Sequence, residues 1–310
     1  MKILLTGASS FTGFWFAREL ARRGNDVVCP LTKSALDDYA SIRRERLELL
    51  ARERNVQFVF SAGTQSENLR ELVAREHFDV FCNHAFATLN HQNPNYKMTD
   101  ALALAVERLD KLMIALRERG CSACVHSGSY FELGESVRSE TGFFTPYALA
   151  KSAAWEFVCY WANRLQMRLG KFTIANPVGA YEERGLTIYL AREWLAGRVP
   201  EVQTPTHVRD NVPVSALAEK YADFVEKVFT TGTLDAPLRA NPSGFVMTNA
   251  AWAQFFGEKL FGKYPEFRSR DTDKIVSDEP QFCHGLERDK NFCVPETFWQ
   301  EYKTFFEKSL

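Results

Sequence analysis

The chain has 310 residues, 45% of them hydrophobic, enough to bury a substantial core as one large domain or two lobes. Its 38 lysines and arginines against 39 aspartates and glutamates leave no bulk basic field for nucleic-acid phosphates or an anionic lipid surface. The apolar runs fall short of the ~18 residues a membrane-spanning helix needs, and Met1 to Leu5 is too brief for a signal-peptide core, so the cytoplasm is the expected compartment.

MKILL reads as a buried strand, and TGASSFTG, Thr6 to Gly13, follows it directly. FWFARELARRGND then carries a helical pattern with Arg18, Glu19, Arg22 and Arg23 on its polar side, and DVVCPL returns to a strand. Glycines at such a strand-to-helix junction permit tight turning and let backbone N–H groups and the positive helix end approach a diphosphate. Gly7 and Gly13 stand at the ends of the turn and Ser10 where a middle glycine might stand; with Phe11 and Thr12 they are the expected dinucleotide contacts. At the end of the second strand a carboxylate would bond the ribose of NAD, whereas a basic residue would accommodate the 2′-phosphate of NADP. CPLTKS holds no acid, and Thr32, Lys33 and Ser34 can meet a phosphate, which tilts the expectation toward NADP(H); the alternative is that Lys33 is a solvated loop lysine.

Further strands are expected in VQFVF (Val56 to Phe60), FDVFCNHA (Phe78 to Ala85) and ACVHSGS (Ala123 to Ser129), separated by helices in SENLRELVARE and ALALAVERLDKLMIALRERG. Apolar strands alternating with helices imply an α/β, Rossmann-like doubly wound parallel sheet covered on both faces. The seven cysteines are an odd number scattered along the chain and make no disulfide framework. Cys121 and Cys124 form a CxxC, but a zinc or redox site would need partners such as Cys283, His284 or Cys293. Since CSACVHSGS continues as an apolar strand, the pair reads as small buried side chains and no metal is assigned. Beyond residue 176 the spacing turns irregular, with turn signals in TTGTLDAP and NPSG and an aromatic-rich end. Residues 1–175 are therefore expected to form the dinucleotide-binding domain, and 176–310 a smaller, partly interleaved substrate lobe with some segments returning to the first.

Tyr147 and Lys151 in TPYALAKSAAWEFVCYW lie four apart, on one face of a predicted helix. An ammonium beside a phenol favours the phenolate, so the expectation is a Tyr147 pKa lowered toward neutrality and a role in proton transfer. Upstream, HSGSYFELGE ends a strand in Ser127, Gly128 and Ser129. A hydroxyl leaving the carboxyl end of a central parallel strand points into the crevice where such sheets bind ligands, so Ser129, with Ser127 competing, is expected to hold a reacting oxygen.

With TGASSFTG, SGS and TPYALAK in this order, the chain resembles the extended short-chain dehydrogenase/reductase family, in its NAD-dependent epimerase/dehydratase branch acting on nucleotide sugars. The resemblance implies Tyr147 as acid/base, Lys151 on the nicotinamide ribose and Ser129 on the substrate oxygen, and adds Ala85 to the cofactor contacts. ANPVGAYEE looks like the NPxGA segment of UDP-galactose 4-epimerases, which puts Asn176 on the substrate diphosphate, and THVRDNVPVS resembles RDFVHVxD, whose arginine falls on Arg209. The chain departs from the family at Ala62, Phe86, Asp100, Pro213 and Ser215. Tyr130 and Phe131 replace the Asp-Glu pair with which the 4,6-dehydratases remove water, which disfavours dehydration. The resemblance thus implies a nucleotide-sugar epimerase or 4-ketoreductase acting at a sugar carbon, expected at C4, with a place in polysaccharide biosynthesis. NPVGA argues for an epimerase with NAD and CPLTKS for a reductase with NADPH. The alternatives are a reductase of non-sugar carbonyl compounds and a catalytically silent dinucleotide-binding regulator. A homodimer is implied too, through the YxxxK helix, with Trp155, Val158, Cys159 and Ala162 as one candidate face or, equally, a face packed on the sheet.

Overall fold

The computed structural model describes residues 1–87, 96–135, 145–232, 236–262, 265–270 and 294–309. The chain begins with β1 (Lys2–Leu5), α1 (Phe11–Arg22), β2 (Asp26–Pro30), α2 (Ser41–Leu50), β3 (Val56–Val59), α3 (Glu67–Arg75) and β4 (Val80–Asn83). It continues through α4 (Met98–Val106), α5 (Leu109–Glu118), β5 (Ala123–Ser129), α6 (Pro146–Arg164), β6 (Arg168–Ile174), β7 (Asn176–Val178) and α7 (Leu186–Leu195). Then come β8 (Glu201–Val202), β9 (Val208–Pro213), α8 (Val214–Thr230), β10 (Leu238–Ala240), β11 (Phe245–Thr248), α9 (Asn249–Phe261), β12 (Arg268–Ser269) and α10 (Glu296–Ser309).

Seven strands form one parallel sheet in the order β10-β6-β5-β4-β1-β2-β3. Successive strand residues point to opposite faces, and the sequence supplies apolar side chains for both. Ile3 and Leu5 enter one core with Val27, Cys29, Cys82 and Val125, where α1 and α8 close over them and Phe16 stacks on Tyr221 at 3.9 Å. Leu4 enters the other core with Val28, Phe81 and Cys124, covered by α3, α5 and α6 through Leu69, Leu112 and Val158. The doubly wound Rossmann-like arrangement is thereby established. Strand order reverses between β1 and β4, and the crevice at their carboxyl ends is where such sheets take ligands.

Beyond residue 176, β7, β9 and β11 make a three-stranded sheet, and β8 pairs with β12. Trp252 and Phe256 of α9 pack there with Tyr302 and Phe306 of α10. β10 and α8 come from the same part of the chain yet pack in and on the seven-stranded sheet.

One sequence expectation changes here, one open alternative is decided and one reading holds. The stretch read as one helix from Ala101 onward breaks at Arg108, whose backbone is left-handed (φ 62°), so α4 and α5 are separate and Arg108 Nη1 donates to the Gln65 carbonyl at 3.1 Å. Trp155, Val158 and Ala162 are buried inside the subunit against the sheet, with Cys159 packed beside them, so they do not form a free face. Cys121 and Cys124 are fully buried thiols, while Cys283, His284 and Cys293 lie outside the described residues. Among the described residues, no helix is long and apolar enough to cross a membrane.

Candidate active site

The turn after β1 is built by sterics. Gly7 has φ +80°, a conformation that L side chains avoid, and a Cβ on it would sit 3.1 Å from the Ala85 backbone. At Gly13 a Cβ would lie 2.2 Å from the Gly7 carbonyl oxygen, so α1 can start this close to β1 only without a side chain there. Ser10 is the N-cap of α1: its Oγ accepts the Gly13 N–H at 3.2 Å and donates to the Gly7 carbonyl at 2.8 Å, work that a middle glycine cannot do. Opposite, Thr6 Oγ1 accepts the N–H groups of His84 and Ala85, each at 3.0 Å, fixing the chain as it leaves β4.

These elements open onto one cleft of about 1510 Å³. Gly7, Ser10, Phe11, Thr12, Thr32 and Ala85 line it, as do Ser129, Tyr147, Lys151, Asn176 and Arg209. Three expected contacts, Gly13, Lys33 and Ser34, are not among its lining residues. Gly13 packs behind the turn, and Lys33 is an exposed loop residue whose N–H donates to Tyr39 Oη at 3.2 Å. The cation on this wall is Arg43 of α2, paired with Glu183 at 3.2 Å. Beside it Ser61, Gly63 and Thr64 line the cleft, whereas Ala62 is buried, and Asp100 is exposed in the first turn of α4.

At the centre, α6 begins with Thr145 as N-cap and Pro146 as its first residue, which places Tyr147 in the first turn, directly over the end of β5. The Ser129 side chain lines the cleft beside the Tyr147 phenol and is near enough to favour its ionisation. Ser127 points elsewhere: its Oγ meets His84 Nδ1 at 2.8 Å, and its carbonyl accepts the Lys151 ammonium. The geometry thus separates the two serines. Lys151 also lies 4.7 Å from the Phe86 ring centroid, while Phe86, Tyr96 and Phe131 each present a ring roughly at right angles to Tyr147.

Burial governs the electrostatics. The Tyr147 phenol is pushed up by burial and then by the Glu132 carboxylate, against a smaller opposing effect of the neighbouring Ser129 hydroxyl. This reverses the direction expected from Lys151 alone, because Lys151 is itself buried and brought down to about 8. His84 bridges Ser127 to Thr12, at 3.1 Å from Thr12 Oγ1; burial, then the Lys151 charge, lowers it to about 3, so it is a neutral imidazole.

On the far wall, Asn176 Nδ2 donates to Asn211 Oδ1 at 2.7 Å, and Arg209 Nη1 lies 2.7 Å from His207 Nε2. Asp210 turns away from the cleft to accept bonds from Ser243 and Gly244, both at 2.8 Å. Glu182, Glu183 and Arg184 complete this wall. Fully buried Arg46 joins the two sides, donating to the Ser9 carbonyl at 3.1 Å, the Tyr181 carbonyl at 2.9 Å and Glu183 at 2.7 Å. His84 and Arg43 were missed at the level of sequence. A histidine at the carboxyl end of a central strand was a usable signal, whereas nothing local marks Arg43.

The site can seat a diphosphate at the glycine turn and present a phenol, a hydroxyl and an ammonium to one reacting oxygen. The structure is similar to UDP-glucuronic acid 4-epimerase from Bacillus cereus, solved with UDP-glucuronic acid and NAD, at 16% identity over 99% of each chain with a TM-score of 0.79. It is also similar to UDP-glucose 4-epimerase from Thermotoga maritima, solved with UDP-glucose (17% identity, 99% of each chain, TM-score 0.72). A third likeness is to UDP-N-acetylglucosamine 4-epimerase from Methanobrevibacter ruminantium (14%, 99% of this chain and 97% of that one, TM-score 0.72). At these identities the likeness is one of fold. No curated protein matches the chain. The sequence itself matches the NAD dependent epimerase/dehydratase family over residues 3–231, and to that family, of the extended short-chain dehydrogenase/reductase type, the chain belongs.

Proposed function

We propose that the protein is an NAD(P)-dependent 4-epimerase of a nucleotide-activated sugar, with Tyr147 as its acid/base. The observation that carries this reading is the convergence of Tyr147, Ser129 and Lys151 in the same cleft as the Gly7 turn, Asn176 and Arg209. The side-chain-free cradle at Gly7, the capped start of α1 and Ala85 fit a dinucleotide diphosphate, with Thr12 and Lys151 along its path. When bound, the cofactor supplies reversible oxidation at the sugar carbon.

Tyr147 Oη takes and returns the proton of the C4 hydroxyl, and Ser129 Oγ orients that oxygen. Lys151, an ammonium over the Phe86 face, stabilises the phenolate as it forms. Arg209 and Asn176 hold the substrate diphosphate, the guanidinium by charge-assisted hydrogen bonds. Phe86, Tyr130 and Phe131 wall the reacting centre with apolar surface and exclude water. Use of UDP-sugars by the three similar epimerases supports UDP-glucose, UDP-glucuronic acid and UDP-N-acetylglucosamine as first probes.

A second reading, a 4-ketoreductase drawing on NADPH, is favoured by Arg43, which stands in the cleft with Thr32 where a 2′-phosphate would be read. Mass spectrometry of nucleotide released from freshly purified protein separates the two. Retained NAD, with C4 inversion of one of the three sugars by NMR, is the expected result. No retained nucleotide, with NADPH bound more tightly than NADH, moves the assignment to the reductase. Both readings place the enzyme in the cytoplasm as a homodimer through α4 and α6, which expose Leu104, Leu149 and Tyr160, and light scattering checks the mass.

A further inference from the structure

Beneath the end of β5 lies a group of buried charges that takes no part in lining the cleft. Glu132 and Lys171 are 0% and 2% exposed, and Glu135 is 2% exposed. Lys171 Nζ sits 2.7 Å from Glu132 Oε2 and 2.7 Å from Glu135 Oε1. Glu135 is further held by Arg239 at 2.7 Å, Thr173 at 2.9 Å and Asn241 at 3.1 Å. The free end of this clamp reaches the site, because Glu132 Oε1 accepts the Ser129 N–H at 2.6 Å. The strand is pressed onto it, since a Cβ on Gly128 would lie 2.7 Å from Lys171 Cε and 3.1 Å from Glu132 Oε1.

Burying such a cluster gains little stability, because desolvation offsets most of the attraction; its value lies in fixing one arrangement. Resting on the reading of Tyr147 and Ser129 given above, we propose that Glu132, clamped by Lys171, is a positioning residue that fixes Ser129 through its main-chain N–H and sets a negative charge behind Tyr147. The groups facing Tyr147 are Glu132, Ser129 and Tyr130 from the β5 end and Tyr96 from the segment before α4. Lys151 lies on its own helix, and Lys171 stands behind Glu132 on β6. Of these, Glu132 is the carboxylate that opposes ionisation of the phenol.

Two variants separate charge from position. Glu132→Gln keeps an acceptor for Ser129 but removes the charge: KM and dinucleotide affinity stay, and the acid limb of the kcat profile moves to lower pH by about one unit. Glu132→Asp keeps the charge but withdraws the acceptor: the limb stays and kcat falls about tenfold or more. A Gln variant whose limb coincides with the wild type, or an Asp variant with undiminished kcat, overturns the proposal. If Glu132→Gln does not fold, the kcat of Glu132→Asp decides in the same sense. If no sugar is turned over, the proposed function fails separately. NMR of the labelled Tyr147 ring carbon in NAD-loaded protein, assigned with Tyr147→Phe, then decides: a shift of its ionisation to lower pH in Glu132→Gln supports the proposal, and no shift overturns it.

Discussion

The turn after β1 and the floor under Ser129 both hold backbone still at the carboxyl end of a central strand, and they do so by opposite means. At the turn, Gly7 and Gly13 leave no room for a side chain and Ser10 bonds the Gly7 carbonyl and the Gly13 N–H, so the hydrogen bonds that cap α1 lie within a few residues. Under Ser129, position comes from buried charge, and each partner comes from far along the chain: Glu132 from Lys171, Glu135 from Arg239. Steric fixation tolerates any pH. Fixation by charge is nonlocal and responds to protonation, so it can influence the chemistry it supports.

The largest expected effect cuts the site where the two regions meet. Tyr147→Phe removes one hydroxyl and should lower kcat by about 10²- to 10⁴-fold while dinucleotide binding and Tm are kept, and steady-state kinetics with a binding titration check both halves. Retained turnover would place the acid/base elsewhere. Next comes a buried carboxyl lacking such a clamp. Burial raises Glu182 from 4.5 to about 7, despite the Tyr302 hydrogen bond and the nearby Thr187 hydroxyl. The folded chain therefore keeps a proton there that the unfolded chain releases, and stability from this group falls as pH rises from 4.5 through about 7. Glu182→Gln should gain up to about 3 kcal/mol in denaturant unfolding near pH 8 and almost nothing near pH 4. An equal gain at both pH values would show that packing, not charge, is responsible.

Gly13→Ala tests the steric side alone. Its new methyl meets the Gly7 carbonyl, so we expect a loss of about 1–3 kcal/mol in stability together with weakened dinucleotide binding, at any pH. Arg209→Ala carries the smallest effect, about a tenfold weakening of nucleotide-sugar binding by calorimetry with kcat little changed. Unchanged affinity there would favour a carbonyl substrate without a diphosphate.

How much was legible in the sequence follows the same divide. The β1 turn, the order of the parallel strands' signals, and Tyr147 four residues before Lys151 all depend on short spacing, and short spacing is what a sequence displays. The choice of Ser129 over Ser127 depended on where α6 begins above β5, and the break at Arg108 on a backbone sign that an arginine does not advertise. The direction of the Tyr147 shift was misjudged because pairing with Lys151 is visible in the sequence and shared burial is not. Lys171 in RLGKFTI did leave a trace: a lysine inside a strand covered on both faces requires a buried partner, though the strand cannot say which.

Arg46 sets a time scale for the cleft. Its buried guanidinium ties the Ser9 carbonyl on one wall to Tyr181 and Glu183 on the other, so the walls cannot spread without uncoupling a desolvated ion pair. Breaking such a pair costs about 3–5 kcal/mol, which makes each opening roughly a thousandfold rarer than for walls free to part. The cleft is in this sense a fixed slot, and whatever is seated along its length leaves on a slower clock than it would from walls free to part.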